Sequence, residues 1–442
     1  VSSTVFYPLC ASCKRLGTCR GACSSICPGA DVFPRLPKVP AQPNVSPLIR
    51  LIIPSFPIDI VITGQDRQPA ASAVAAKSSI PALEGILVEG SDRLTMSGYN
   101  MQTGIRTAFE AEVHEEGRIV LNARLFGEII RKLPDDLVVC AADEKYMVRL
   151  TGGDASCEIR GRAAEDYPEL PEVDDEYSVA IQQGTLKAMI NQTSFAVSTN
   201  ETRPIHTGSL FEINEQGLTM VSVDGFRLAL RREPLERIDG GAFRFVAPGS
   251  ALNEVEKICE DSDDLMTIIQ GKRHLMFETG STQLICRRLE GEFLDYRNAI
   301  PRNNPISILV DTKAMLNSLD RVSVVISEKL KSPVHCIFDA GRVYLSAKTG
   351  NGEAKDVCRV SGDGDKLEIG FNNRYLMEAL RYAPADKVKI ELNTGVSPAI
   401  IVPVEGEENF LSMVLPVRLK SQEQTNMKTM TITTEYNKLP VL

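Results

Sequence analysis

Apolar residues between Leu125 and Leu133 fall at 125, 126, 129, 130 and 133, the spacing of a single stripe along a helix that lies on a core. Tyr375 to Ala383 carries the same stripe at 375, 376, 379, 380 and 383, displaced by 250 residues at every position. Half of that displacement, 125, lands on Ala251, Val255 and Ile258 inside a third amphipathic stretch, Ala251 to Glu260. The pattern predicts three helices at one period, and so a unit that occurs three times.

Strand-like segments keep the period to within a few residues, as loop insertions allow. Leu94-Thr95-Met96 returns as Leu218-Thr219-Met220 and again as Val343-Tyr344-Leu345. Pro81, Pro204 and Pro333 each stand ahead of an alternating strand, at Ile86 to Val88, Leu210 to Ile213 and Cys336 to Phe338. Asp166-Tyr167 and Asp295-Tyr296 close the first two copies. Each copy reads helix, strands, helix, strands, an α+β unit with its helices on one face of antiparallel sheet. A unit of that length is a whole domain, too long for a solenoid repeat.

Composition agrees with this and adds an asymmetry. The 442 residues are 43% hydrophobic and 24% charged, which is globular composition with room for about three domains. The longest apolar stretches are broken by Pro54 and Pro57 and fall short of the roughly 18 residues of a membrane span. Residues 1–72 hold five of the eleven cysteines, ten of the twenty-five prolines, seven Lys/Arg, three Asp and no Glu, so they carry +4 and the remainder of the −9 chain carries −13. Eight prolines between Pro28 and Pro57 read as an extended, poorly packed linker. Cys10-x2-Cys13 has a metal-ligand spacing, but Cys19, Cys23 and Cys27 lack the second close pair of a zinc ribbon. An unfolded extension, or a mis-set reading frame, is the preferred reading. Cys140, Cys157, Cys259, Cys286, Cys336 and Cys358 stand singly in apolar stretches, as in a reduced, cytosolic protein.

The total charge argues against nucleic acid, yet charge placement matters more than its sum. Arg124 and Arg131 point away from the apolar stripe of the first helix, and Arg374 and Arg381 do the same on the third. The middle copy departs, with Gly249 and Glu256 at those places. Incidental charge on a solvated face is the bland reading. Recurrence in two copies of an otherwise acidic protein favours sequence-independent contact with a phosphate backbone. There is no P-loop, GxSxG, HExxH or dinucleotide fingerprint, the four histidines are scattered, and the carboxylate runs at 261–264 and 405–408 read as solvated turns. No enzyme, cofactor or metal is called for.

Six segments carry a family resemblance: Lys77 to Glu84, Glu165 to Pro171, Asn200 to Pro204, Val223 to Leu228, Gly291 to Arg297 and Val414 to Leu419. In order and on the threefold repeat, they make the stretch from Lys77 to Leu419 resemble the bacterial sliding clamp, the beta subunit of DNA polymerase III. The resemblance implies a DNA clamp fold of three clamp-type domains, helices lining the inner face and antiparallel sheets outside. It implies a head-to-tail homodimer that encircles duplex DNA and does no chemistry. Its partners would be the polymerase III alpha subunit, the clamp loader and other proteins with a clamp-binding motif, acting in DNA replication in the cytoplasm and not at a membrane.

Carried over, the resemblance gives Lys77 and Arg124 as DNA-facing, to which helix geometry adds Arg131, Arg203, Arg374 and Arg381. A groove between the second and third domains would take a hydrophobic partner peptide. One wall is Val223, Gly225, Phe226, Arg227 and Leu228; the floor is Met413, Val414, Leu415, Pro416, Val417, Arg418 and Leu419, flanked by Pro398. Leu294, Asn298 and Ala299 form the rim, with His206 where a leucine is familiar. The resemblance also brings Cys157 and Ile159 of one copy against Val324 and Val325 of its neighbour.

The expected organisation is a disordered Cys/Pro-rich extension at 1–57, clamp domains at 58–176, 177–301 and 302–419, and a tail at 420–442. The first domain is expected to lack its opening strand and part of a helix near residues 62–77, where Gly64 and Pro69 interrupt. An alternative function is a clamp scaffold whose N-terminal cysteine module binds metal or regulates.

Overall fold

The computed structural model describes residues 49–53, 73–74, 80–133, 138–235, 237–239, 241–326, 332–339, 341–406 and 409–419, with backbone alone at 49–53 and 237–239. Six helices are described: α1 (Ala123–Lys132), α2 (Gln183–Ser194), α3 (Gly249–Ile258), the short α4 (Tyr296–Ala299), α5 (Thr312–Ser323) and α6 (Asn373–Arg381). The three helices predicted from the apolar stripe are α1, α3 and α6, each found within about two residues of its expected ends. Their first turns follow local chemistry. The Asn122 side chain accepts from the Leu125 amide at 3.0 Å and Asn372 from the Arg374 amide at 3.1 Å, satisfying amides that have no partner within the helix.

Among the described residues the strands form four antiparallel sheets, of five, nine, nine and five strands. Each domain contributes to two of them. The middle domain lends Thr282–Arg287 to pair with Thr103–Phe109 of the first, and Arg227–Glu233 to pair with Phe410–Val414 of the third. Both nine-stranded sheets therefore run across a domain joint. The two five-stranded sheets end at free edges, Ala155–Arg160 in the first domain and Gly352–Arg359 in the third.

Burial follows the same threefold plan. The first core gathers Ile86, Leu121, Phe126, Val148 and Leu150; the second Leu186, Phe211, Leu252, Val255 and Phe277; the third Met315, Leu319, Phe338, Leu376 and Leu380. Each such side chain contributes on the order of 2 kcal/mol by leaving water. Two further apolar clusters cover the joints. Tyr99, Leu87 and Leu170 pack with Ile285 and Met276 at the first joint, and Val223, Leu228 and Tyr296 with Met413, Ile400 and Val402 at the second.

One expectation is overturned. Ile49–Ile53, assigned from sequence to the extension, is a strand paired with Glu112–Glu115 and Val138–Ala142, the place that Tyr177–Gln182 takes in the second domain between Arg237–Asp239 and Leu265–Gln270. The first domain thus has its opening strand and begins before residue 58. Pro47 and Pro54 bracket this five-residue run without interrupting it, so proline density over the wider window hid a strand-sized gap. Lys77, the helix expected near 62–77 apart from Ala73 and Val74, the cysteines at 10–27 and the tail from 420 lie outside the described residues.

Candidate nucleic-acid interface and partner groove

Counting from the residue before each repeated helix, Asn122, Pro248 and Asn372, puts buried positions at the first and fourth places of all three helices. The second and ninth places are Arg124 and Arg131 in α1, Ser250 and Lys257 in α3, and Arg374 and Arg381 in α6. The expectation of Gly249 and Glu256 for the middle copy is corrected here. The caps are spaced unequally, so halving the long displacement misplaces α3 by one residue, and Lys257 supplies a base in all three copies.

These bases are held outward. The Arg124 side chain is 88% exposed and pairs with Glu128 one turn on at 3.0 Å; Arg374 pairs with Glu378 at 3.0 Å and Lys257 with Glu254 at 3.1 Å. The hydrogen bond and charge of Arg124 hold the Glu128 carboxyl below its ordinary range. Arg131, Arg203 and Arg381 are exposed. Pairs this wet add little to folding, which leaves the cations available to an external anion.

The groove residues divide by strand alternation. Val223, Leu228 and Met413 are buried in the cluster over the second joint, with Ala299, Phe293 and Ile205 partly buried against it. Val414 points the other way, into the core of the third domain, and is not floor. The turn from Asp224 to Arg227 is set by the Asp224 side chain, which accepts from the Phe226 and Arg227 amides at 2.9 and 3.0 Å, with Gly225 at φ +89°. Phe226 is left 60% exposed at the tip, its carbonyl accepting from the Leu415 amide at 2.8 Å.

Arg227 is corrected from groove wall to joint. Its guanidinium lies on the helix side of the sheet, bonded to Asp224 at 2.9 Å and to Glu378 of α6, 4.4 Å from the centre of the Tyr375 ring and 5.4 Å from that of Phe195. Phe195 stacks on Tyr382 at 4.9 Å across the same joint. Phe195, Tyr375, Tyr382 and Glu378 went unpredicted, because nothing local in sequence marks a contact between the second and third domains.

Around the open side of the cluster, Leu294 is exposed, Asn298 donates to Asp295 at 2.7 Å, and Pro398, Leu415 and Pro416 are half-buried. His206 sits edge-on to Phe293 at 5.5 Å, and burial, then the charge of Arg203, lowers its pKa. Pro416–Val417 pairs with Gly370 and Phe371, Arg418 is exposed, and Leu419 lies where a side chain at Gly370 would be. At the free edges, Ile159 is buried and Cys157 half-buried, Val324 is 83% exposed at the end of α5, and the Val325 carbonyl accepts from Thr349 at 2.9 Å. Burial pushes the thiols of Cys140, Cys259 and Cys286 up to about 12, so these behave as apolar side chains. No helix among the described residues is long and apolar enough to cross a membrane.

Family models for the N-terminal, central and C-terminal domains of the DNA polymerase III beta subunit match residues 65–171, 180–295 and 297–418 in that order. The beta sliding clamp of Halalkalibacterium halodurans is 31% identical over 378 residues, covering 82% of this chain and 99% of the relative. The chain belongs to the beta sliding clamp family. The Bacillus subtilis clamp is 29% identical over 363 residues, covering 79% of this chain and 96% of the relative. Its crystal structure superposes with a TM-score of 0.78 at 27% identity, covering 84% of this chain and all of that one. A beta subunit structure from Eubacterium rectale gives 0.77 at 27% identity, with the same coverage.

Proposed function

We infer that this chain is a DNA sliding clamp in replication, two copies of which close head to tail around duplex DNA. The observation that carries this reading is the basic ninth position of α1, α3 and α6, Arg131, Lys257 and Arg381, repeated once per domain on an otherwise acidic protein. A duplex passing along such a face meets cations at a domain repeat, without base contacts and with modest intrinsic affinity. Retention then comes from topology, and the protein itself needs no catalytic group. Arg124, Arg203, Arg374 and Lys77 extend the phosphate-facing set.

The half-open apolar cluster over the second joint suits a short hydrophobic peptide from a polymerase, a clamp loader or another partner. Phe226, Leu294, Ala299, Pro398, Leu415, Pro416 and Val417 would touch it, His206 and Asn298 would tune it, and Val223, Leu228 and Met413 would back it. Arg418 and Leu419 lie at the end of the same strand. The setting is the cytoplasm, with no membrane partner.

Loading onto nicked circular DNA with a clamp loader, followed by gel filtration, tests the mechanism. Protein should stay with the circle and leave once a restriction enzyme linearises it. Equal retention on circular and linear DNA contradicts a topological link.

A further inference from the structure

One helical turn of α6 carries contacts to both proposed surfaces. The Arg374 side chain is 75% exposed, and its Nε donates to Glu378 Oε1 at 3.0 Å. The other oxygen of that carboxylate, Oε2, accepts from Nη1 of Arg227. One carboxylate is thus shared by an outward arginine of the third domain and a buried arginine of the central one. Beyond Arg227 the connection reaches the groove. Its Nε donates to Asp224 Oδ2 at 2.9 Å, and Asp224 Oδ1 accepts from the Phe226 and Arg227 amides that fix the turn. That turn presents Phe226, whose carbonyl accepts from the Leu415 amide and whose ring stacks 6.2 Å from that of Tyr375, the residue after Arg374. From Arg374 to Phe226 and Leu415 the contacts are continuous, through three ion pairs and the turn they hold.

The threefold repeat shows that this link belongs to one domain. The sixth place of the three repeated helices is Glu128, Glu254 and Glu378. Glu128 pairs with Arg124 just as Glu378 pairs with Arg374, four residues apart, and Glu254 pairs with Lys257. Among the described residues, only Glu378 of the three also bonds a side chain of another domain. In α1 the same outward pair therefore stands without the bridge.

Electrostatics gives the direction of the effect. Two guanidinium groups on one carboxylate both attract it and repel each other, so each loosens the other's hold. A phosphate that takes Arg374 cancels that charge beside Glu378 and leaves the carboxylate to Arg227 alone. The buried bond tightens, and with it the turn that carries Phe226 and holds Leu415. Resting on the DNA contact and the peptide groove proposed above, we propose that Glu378 is a positioning residue through which duplex DNA at α6 strengthens peptide binding in the groove. The element with two arrangements is the Arg374 side chain, on Glu378 in the free protein and on a phosphate when DNA is present. Linkage makes the effect reciprocal, so a peptide in the groove favours the phosphate-bound arrangement by the same factor. That factor is about threefold, the scale of an exposed ion pair.

Peptide binding to the full chain, free and on DNA, tests this. The probe is a fluorescein-labelled hydrophobic peptide from a clamp-binding polymerase, read by anisotropy at about 0.05 M salt, where surface charges are weakly screened. The protein is measured free and loaded on nicked circles, with the clamp loader removed by gel filtration. The wild type should bind the peptide about threefold tighter on circles. Arg374→Ala should bind it about threefold tighter than the wild type without DNA, and gain nothing further on circles. Arg374→Lys, which keeps the charge, should restore the response. Arg124→Ala removes the unbridged cation of α1, and should lower the salt slope of duplex binding while keeping the peptide response. Glu378→Gln, close in shape but uncharged, should weaken the peptide and abolish the response; a merely structural Glu378 would give the weakening and keep the response. A wild type that leaves intact circles, or that never binds the peptide, would overturn the proposed function and this inference together. Retention and peptide binding with equal affinity free and on DNA, or an Arg374→Ala protein that still responds, would overturn the coupling alone.

Discussion

The guanidinium of Arg227 lies 4.4 Å from the centre of the Tyr375 ring and bonds Glu378 on the same helix, fastening the central domain to the third by one side chain. Arg227 is 6% exposed, and its carboxylate partners Asp224 and Glu378 are largely buried as well. Such a pair is weak proof of stability while intact, but removing one partner leaves buried charge behind. Arg227→Ala should therefore cost on the order of 3 kcal/mol, the low end for a broken buried pair because Glu378 keeps Arg374. Urea unfolding reads the loss. Hydrogen exchange should rise first in α6 and the strand Phe410–Val414, at the joint, before it rises in the core of the central domain.

Lys257 should behave as a DNA-facing cation despite its ion pair with Glu254. Each phosphate contact removed lowers the slope of log affinity against log salt by about 0.9. Lys257→Ala, Arg131→Ala and Arg381→Ala should each produce about that change in duplex binding, with circular dichroism unaltered because the side chains are exposed. Salt slopes measured by fluorescence anisotropy check it. An unchanged slope for Lys257→Ala alone would remove the central domain from the contact.

Leu294 is 44% exposed and tests the groove without disturbing the fold. Leu294→Asp should weaken a labelled hydrophobic peptide from a clamp-binding polymerase by more than about tenfold, since a single well-buried anchor contributes roughly 2 kcal/mol. Thermal melting should stay put. Phe226→Ala, at the tip of the turn, should lose less, because Phe226 also leans on Tyr375 at 6.2 Å in the free protein.

The repeat was legible because a helix on a core writes its period into the sequence, and Phe126, Leu252 and Leu376 occupy the same place in α1, α3 and α6. Lys257 was missed by one residue, an error that unequal loop lengths make and only caps correct. Ile49–Ile53 was missed because its partners, Glu112–Glu115 and Val138–Ala142, are distant in sequence while its flanking prolines are adjacent. The Arg227 knot was beyond reach for the same reason, since 151 residues separate Arg227 from Glu378. Of the groove, residue identities were readable but facing was not: Val414 and Arg227 lie in the named strands and point away from the open side.

His206 supplies a pH signature. Burial and Arg203 depress its pKa below the ordinary value of 6.5, so the folded groove favours the neutral ring. For a histidine the sign follows directly. The contribution is complete above the unfolded value and is lost as pH falls through 6.5 toward the depressed folded value. Peptide binding should weaken between about pH 7 and about pH 5, where the ring gains charge beside Phe293 and Arg203. His206→Leu should flatten that profile, and an NMR titration of the ring should give a midpoint below 6.5. A midpoint at or above that value would mean that burial and Arg203 do not govern the ring.

Val324 isolates assembly from folding. It is 83% exposed at the end of α5, so Val324→Asp removes no core contact and should leave the unfolding midpoint of the protomer unchanged. If Val324 and Val325 meet Ile159 and Cys157 of the second copy, a carboxylate placed there is desolvated without a partner on closure. That penalty is on the order of several kcal/mol, enough to shift a nanomolar dimer into the micromolar range. Sedimentation at a few protein concentrations should then show monomer, and retention on circular DNA should fall in step. An unchanged dimer would place the contact between copies elsewhere than at the Ala155–Arg160 and Gly352–Arg359 edges.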